Sequence, residues 1–250
     1  LFMQNSPQFV AAYYGILRAN AVVVPVNPMN KADELGHYIT DPEAKVAIAA
    51  ADLAPELCKA DAALASGQRL AHLLCVHYRD AMPDACFAPD SDLPPLWRDW
   101  LGTHHPLPVL ASGQAHDWAT ALACTDPLPE HTAGPDDLAV LPYTSGTTGL
   151  PKGCMHPHRT LMHNAVASTL WGNGTPENVA LVVVPMFHIT GMVIGMHATL
   201  YNGSTMVVMP RWDRDVAGRL ISRWKVTHWA NIPTMIIELL ASPNLASYDL

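Results

Sequence analysis

Leu138-Ala-Val-Leu-Pro-Tyr-Thr-Ser-Gly-Thr-Thr-Gly-Leu-Pro-Lys-Gly153 begins as a short apolar run and then changes character. Leu138 to Leu141 has the composition of a strand buried in a parallel sheet. Tyr143 to Gly153 carries four hydroxyl side chains, Thr144, Ser145, Thr147 and Thr148, together with Gly146, Gly149, Gly153 and one ammonium, Lys152. Glycines let backbone N–H groups come close to a polyphosphate and tolerate positive φ. Hydroxyls donate to non-bridging oxygens, and the ammonium adds a point charge. These are the parts of an anion cradle placed directly after a strand.

The spacing is not that of a Walker loop. Counted from Gly146, such a loop needs Gly where Pro151 stands and Ser or Thr where Gly153 stands. Pro151 also discourages a helix before the lysine, so the spacing predicts a loop between two strand-like pieces. A Ser/Thr/Gly surface linker is the plain alternative. The density of donors around a single lysine, immediately after an apolar strand, argues against it.

Outward from this stretch, strands and helices alternate. Before it, the periodicity predicts a helix over Pro7 to Asn20, with Asn5 or Ser6 as its cap, and a buried strand over Ala21 to Val26. A helix over Asp33 to Thr40, a strand over Lys45 to Ala50, a helix over Leu53 to Ser66 and a strand over His72 to His77 follow. The pattern fails between Ala81 and Pro108, where Pro83, Pro89, Pro94, Pro95, Pro106 and Pro108 break it, and resumes with a helix over Gln114 to Cys124. In the broken part Trp97 and Trp100 could stack a base, although aromatics in irregular segments more often pin the chain to its core.

After the loop the pattern predicts helices over Pro157 to Leu170, Ile189 to Leu200, Val216 to Lys225 and Pro233 to Ala241. Strands over Val179 to Val184, Thr205 to Val208 and Val226 to Ala230 lie between them. Alternation of this kind means βαβ crossovers, so the expected fold class is α/β, with mostly parallel sheets covered by helices. The Pro-, Asp- and Gly-rich segment 125–137 is the expected boundary between a first α/β subdomain, 1–135, and a second, 136–250, that carries the loop.

Composition narrows the function. The chain has 250 residues, 50% of them hydrophobic and 14% charged, against about a quarter charged in a typical domain. A net charge of −8 argues against nucleic acid as a partner. No apolar run has the length of a membrane span, and Leu1-Phe-Met-Gln-Asn-Ser6 does not read as a signal peptide. Five cysteines, odd in number and with no C-x-x-C pair, give neither a disulfide framework nor a zinc knuckle, so a reduced cytosol is expected. His156, His158 and His163 cluster, but no Cys or carboxylate joins them at ligand spacing.

Tyr143-Thr-Ser-Gly-Thr-Thr-Gly-Leu-Pro-Lys-Gly153 resembles the signature loop of the acyl-adenylate-forming, AMP-binding superfamily, which includes acyl-CoA synthetases, luciferases and the adenylation domains of peptide synthetases. The resemblance implies that Thr144, Ser145, Thr147, Thr148 and Lys152 hold the β- and γ-phosphates of ATP, with Gly146 and Gly149 shaping the backbone path. It places Mg2+ with the nucleotide at Thr148. It also implies that Gly153, like Gly146 and Gly149, permits the backbone path, and that Lys152 stabilises the departing pyrophosphate while a carboxylate attacks the α-phosphate.

Two further segments carry the likeness. Pro185-Met-Phe-His-Ile-Thr-Gly191 leaves a strand at its carboxyl end, where open α/β sheets bind ligands. It is similar to the family's acyl-channel motif, which implies that His188 lies beside the carboxylate being activated, with Phe187 and Gly191 at the pocket mouth. The blander reading makes His188 a helix-start histidine and Phe187 core. Asn231-Ile-Pro-Thr-Met235 looks like the family's segment at the next strand end, which implies substrate contacts at Asn231 and Pro233. Without that likeness it is a strand-to-helix turn. Met192, Val193, Met196, Met235 and Ile236 could wall a hydrocarbon tunnel, or be plain core.

The resemblance runs through most of the chain and is weakest over 81–135. The family's later motifs for adenine, ribose, the hinge and the C-terminal lysine are not found, so the chain is expected to be the N-terminal fragment of a larger enzyme. The function implied is that of an ATP-dependent carboxylate–CoA ligase acting on a fatty or other apolar acid, with CoA as co-substrate. A non-catalytic nucleotide- or polyphosphate-binding module, or an adenylating enzyme of the aryl-acid, luciferase-like or peptide-synthetase branches, is the alternative. A homodimer is left open.

Overall fold

A computed structural model of the chain describes residues 1–89, 91, 93–144 and 149–250. They form two compact units, Leu1–Met3 with Gln8–Met155 and Gln4–Pro7 with His156–Leu250.

In the first unit α1 (Pro7–Arg18) buries Phe9, Ala12 and Tyr13, an i, i+3, i+4 stripe. The helix α2 (Ala32–Thr40) starts where the Glu34 carboxylate accepts the Lys31 N–H at 2.9 Å. β1 (Val46–Ala50), α3 (Ala54–Ala63) and β2 (His72–Val76) follow. α4 (Pro95–Gly102), β3 (Gln114–Asp117), α5 (Trp118–Leu122), β4 (Leu138–Val140), β5 (Tyr143–Thr144) and β6 (Lys152–Gly153) complete the unit. β1, β2 and β3 form a parallel sheet in that order, with Val46 opposite His72 and His72 opposite Gln114. Leu35 and Ile39 of α2 and Leu57 of α3 join Ala49 and Leu73 of the sheet in one buried core.

Several sequence expectations are corrected in this unit. Ala21 to Val26 forms no ladder: Val23 alone bridges Val140, and Pro25 cannot donate to a neighbour. The expected helix from Gln114 is a strand for its first four residues, because pairing with β2 outweighs local preference. Asp117 then caps α5, accepting from the Ala119 and Thr120 N–H groups. The Pro-rich segment contains α4, begun by Pro95. Its Trp100 indole donates to Asp52 at 2.8 Å and meets the Tyr78 ring, so it pins the segment to the unit.

The division between units falls after Met155, not within 125–137. Arg18 donates to the Pro129 carbonyl, and Asn20 bonds the Glu130 carbonyl and the Thr132 and Ala133 N–H groups, which fastens that segment to the end of α1. Val23 brings in β4 by accepting from Leu141 and donating to Ala139. The expected linker is therefore part of the first unit.

The second unit contains β7 (His156–Pro157), α6 (His158–Trp171), β8 (Val179–Val182), α7 (Ala198–Tyr201), β9 (Thr205–Val208), α8 (Arg214–Trp224), β10 (His228–Trp229) and α9 (Pro233–Leu240). Its sheet is parallel in the order β10-β8-β9. Asp213 caps α8 by accepting from the Asp215 and Val216 N–H groups, and Lys225 closes that helix in the left-handed conformation. The helix expected over Ile189 to Leu200 is present, but its centre, Gly191–His197, is wound as a π-helix. Such segments are rare and recur at functional sites. Among the described residues no helix is long and apolar enough to cross a membrane.

Candidate functional site

The cradle residues Ser145, Gly146, Thr147 and Thr148 lie outside the described residues. Their flanks are defined. β5 and β6 pair antiparallel, Tyr143 opposite Gly153 and Thr144 opposite Lys152, which makes the predicted strand-like pieces the two sides of a stem. Gly149 has φ +124°, a conformation L side chains rarely adopt, so the return path to Lys152 needs glycine there. Thr144 and Lys152 are exposed, and among the described residues no salt bridge engages Lys152.

The last turn of α2 reaches both sides of the stem. His37 Nε2 lies 2.7 Å from the Pro151 carbonyl oxygen. A carbonyl only accepts, so Nε2 carries the proton. The Tyr143 hydroxyl donates to Asp41 Oδ2 at 2.5 Å. Burial, and then the bond to Asp41, raises the Tyr143 hydroxyl above the ordinary phenol range, in keeping with its role as donor. Its ring stands 4.8 Å from that of Tyr38 and edge-on to His37 at 5.6 Å. His37, Tyr38 and Asp41 belong to no motif that the sequence reading used.

In the second unit, parallel pairing decides which groups share an edge. β8 and β10 are neighbours with Leu181 opposite Trp229, so the segments leaving them, 183–191 and 230–233, emerge at the same carboxyl edge. Phe187, His188, Gly191, Asn231 and Pro233 are thereby gathered at one end of one sheet. Phe187 is half-buried, whereas His188, Asn231 and Pro233 are exposed.

The backbone after β8 doubles back tightly. The His188 N–H donates to the Pro185 carbonyl, and the His188 carbonyl accepts from Met192. A Cβ on Gly191 would lie 2.2 Å from the Pro185 oxygen and 2.4 Å from the Val184 oxygen. The absence of a side chain at Gly191 therefore lets its own chain pass close by. His188 Nδ1 accepts the Thr190 N–H at 3.2 Å, which leaves the proton of the neutral ring on Nε2.

Asn231 turns back, its amide donating to the Trp229 carbonyl at 3.0 Å, and Pro233 opens α9, as the strand-to-helix reading requires. Met192 and Met196 are fully buried, and Val193 and Met235 are buried, whereas Ile236 is exposed. The π-helix lies on β8, where Gly195 faces Val182.

A group the sequence reading missed holds this edge together. Asn5, 4% exposed, is not spent on capping. Its Oδ1 accepts the Met186 N–H at 2.7 Å, and its Nδ2 donates to the carbonyls of Val184 at 3.1 Å and Met209 at 3.4 Å. It thus ties the chain leaving β8 to the chain leaving β9. Trp212 and Trp229, stacked at 5.5 Å between ring centres, extend the same end of the sheet, with the Trp212 indole donating to Glu238. Neither feature has a local sequence signature.

Parallel α/β sheets, a glycine-bearing stem with an exposed lysine and a histidine turn at a strand end are the features that the comparison with known proteins takes up. The AMP-binding enzyme family matches residues 1–250, and the chain belongs to it. It is 31% identical over 258 residues to a long-chain-fatty-acid–CoA ligase of Bacillus subtilis (strain 168), a match covering 100% of this chain and 44% of that protein. The N-terminal domain of FACL13 from Mycobacterium tuberculosis, solved with an inhibitor, superposes with a TM-score of 0.73 at 25% identity, covering 99% of this chain and 52% of that one. ATP-bound MatB from Rhodopseudomonas palustris gives a TM-score of 0.70 at 25% identity, covering 97% and 40%. The chain therefore spans about half the length, or less, of the relatives it matches.

Proposed function

We propose that this chain supplies the ATP-phosphate and acyl-carboxylate sites of an ATP-dependent carboxylate–CoA ligase acting on a fatty acid. The observation that carries the reading is the exposed ammonium of Lys152 on the β5–β6 stem, beside a loop rich in hydroxyls and glycine. ATP enters with Mg2+ as one substrate. The acid's oxygen attacks the α-phosphorus, and the bond from that phosphorus to the bridging oxygen of pyrophosphate breaks. Lys152, with Thr144, Ser145, Thr147 and Thr148, offsets the charge gathering on the departing pyrophosphate. The thiol of CoA then attacks the acyl carbon, and AMP leaves.

His188 would meet the acid. With Nδ1 occupied by the Thr190 N–H, its Nε2–H is the donor suited to a carboxylate oxygen. An apolar acid is favoured by Met192, Val193, Ile194 and Met196 in the π-helix that follows and by the fatty-acid ligase among the relatives.

The test is hydroxamate trapping of acyl-adenylates by the full-length protein that carries this chain, across a panel of carboxylic acids. Trapping is expected with fatty acids and to depend on ATP. No trapped product with any acid would refute the ligase reading.

A further inference from the structure

The stem of the phosphate loop does not stand alone, and what holds it is asymmetric in a useful way. α2 is fixed from beneath: Leu35 and Ile39 lie in the core with 1% and 3% exposure. His37 and the C-cap residue Asp41, also four residues apart and still in helical conformation, project from the opposite side of α2. One grips each side of the stem, His37 at the Pro151 carbonyl and Asp41 at the Tyr143 hydroxyl.

The Pro151 carbonyl belongs to the planar peptide unit whose nitrogen is that of Lys152. A bond to this oxygen therefore sets the plane from which the Lys152 side chain departs. Pro151 brings a restricted φ and no N–H, so its carbonyl is the one backbone group it offers to a partner. On the other side, Tyr143 lies opposite Gly153 in the pairing register, and its ring is enclosed by Tyr38 and His37. The two grips fix the lysine's approach from both strands.

Resting on the phosphate-binding reading above, we propose that His37 is a positioning residue for pyrophosphate and the ATP phosphates: its Nε2–H holds the Pro151–Lys152 peptide so that the ammonium faces the anion, with the Tyr143–Asp41 bond bracing the opposite strand.

The experiment uses the full-length protein. Calorimetry with pyrophosphate and steady-state kinetics with ATP and a fatty acid are measured for the wild type and for His37→Ala, His37→Gln and Tyr143→Phe. Glutamine can present an N–H where His37 Nε2 stands. His37→Ala is expected to weaken pyrophosphate binding and raise KM for ATP by about 3- to 10-fold, the range set by one lost hydrogen bond. KM for the acid should stay unchanged and Tm within about 4 °C.

His37→Gln should restore pyrophosphate binding to within about twofold, and Tyr143→Phe should weaken it about 2- to 5-fold. Equal binding by wild type and His37→Ala would overturn the proposal. So would a His37→Ala defect that falls on the acid as much as on ATP, or one that glutamine does not repair. Failure of the wild type to bind pyrophosphate at all would instead remove the phosphate-binding reading, a different result.

Discussion

The Asn5 side chain accepts the Met186 N–H at 2.7 Å across a sequence separation of 181 residues. Asn5 sits in a short segment that belongs with the second unit although the chain on both sides of it belongs with the first. It completes the turn on which His188 is presented, because its amide also takes the Val184 and Met209 carbonyls. A buried amide making three bonds to backbone groups cannot be replaced without stranding them.

Asn5→Ala is therefore expected to destabilise the protein by about 2–3 kcal/mol, the cost of leaving buried backbone groups unpaired. Asn5→Asp keeps the acceptor for Met186 but sets a carboxylate against two carbonyls, so it should be no better. Urea unfolding measures both. A loss below about 0.5 kcal/mol for Asn5→Ala, typical of an inert surface site, would show that the bonds contribute little.

Gly191→Ala tests the turn from the other side. The added methyl would fall within 2.6 Å of backbone atoms of Val184 and Pro185, none of which can yield as a flexible side chain does. A loss of about 1–3 kcal/mol is expected from the forced shift. The displaced His188 should raise KM for the acid more than KM for ATP. Wild-type stability in this variant would mean that the turn is looser than its geometry implies.

The parts of the fold visible in the sequence were those written in local periodicity. β9 falls on the predicted residues, and α1, α2, α3, α8 and α9 differ from expectation only near their ends. What local reading could not supply was long-range pairing. Gln114 to Asp117 became a strand because β2 offered an open edge, and 125–137 lost its linker character because Arg18 and Asn20 hold it. The site divides in the same way. Lys152 and His188 stand in dense motifs, whereas Asn5, His37 and Asp41 act through partners 181, 114 and 102 residues away. No window short enough to scan contains both halves of such a bond.

Lys152→Ala in the full-length protein is expected to lower acyl-adenylate formation by roughly 10²- to 10³-fold, as removal of one preorganised charge does. Lys152→Arg should recover little, since a planar guanidinium presents its donors in a different geometry from an ammonium. ATP–pyrophosphate exchange is the assay. Exchange at the wild-type rate in Lys152→Ala would take the loop out of the mechanism.

His197 makes the second unit acid-sensitive. The residue is 6% exposed within the π-helix, and burial lowers its pKa from 6.5 to about 4. Because the folded value is the lower one, between 6.5 and about 4 the unfolded chain takes up a proton that the folded chain refuses. Stability must then fall as pH drops through that window and be independent of this group above it. The full effect is on the order of 3 kcal/mol. Asp215 does not confuse the measurement. Bonds from Ser242 and Tyr248 lower its carboxyl from 3.8 to about 2, so its contribution is complete above 3.8 and is lost only below it. Urea unfolding of wild type and His197→Met across the window should show a steep pH dependence in the first and a shallower one in the second. Identical slopes would mean that this imidazole is protonated in the fold as readily as in water.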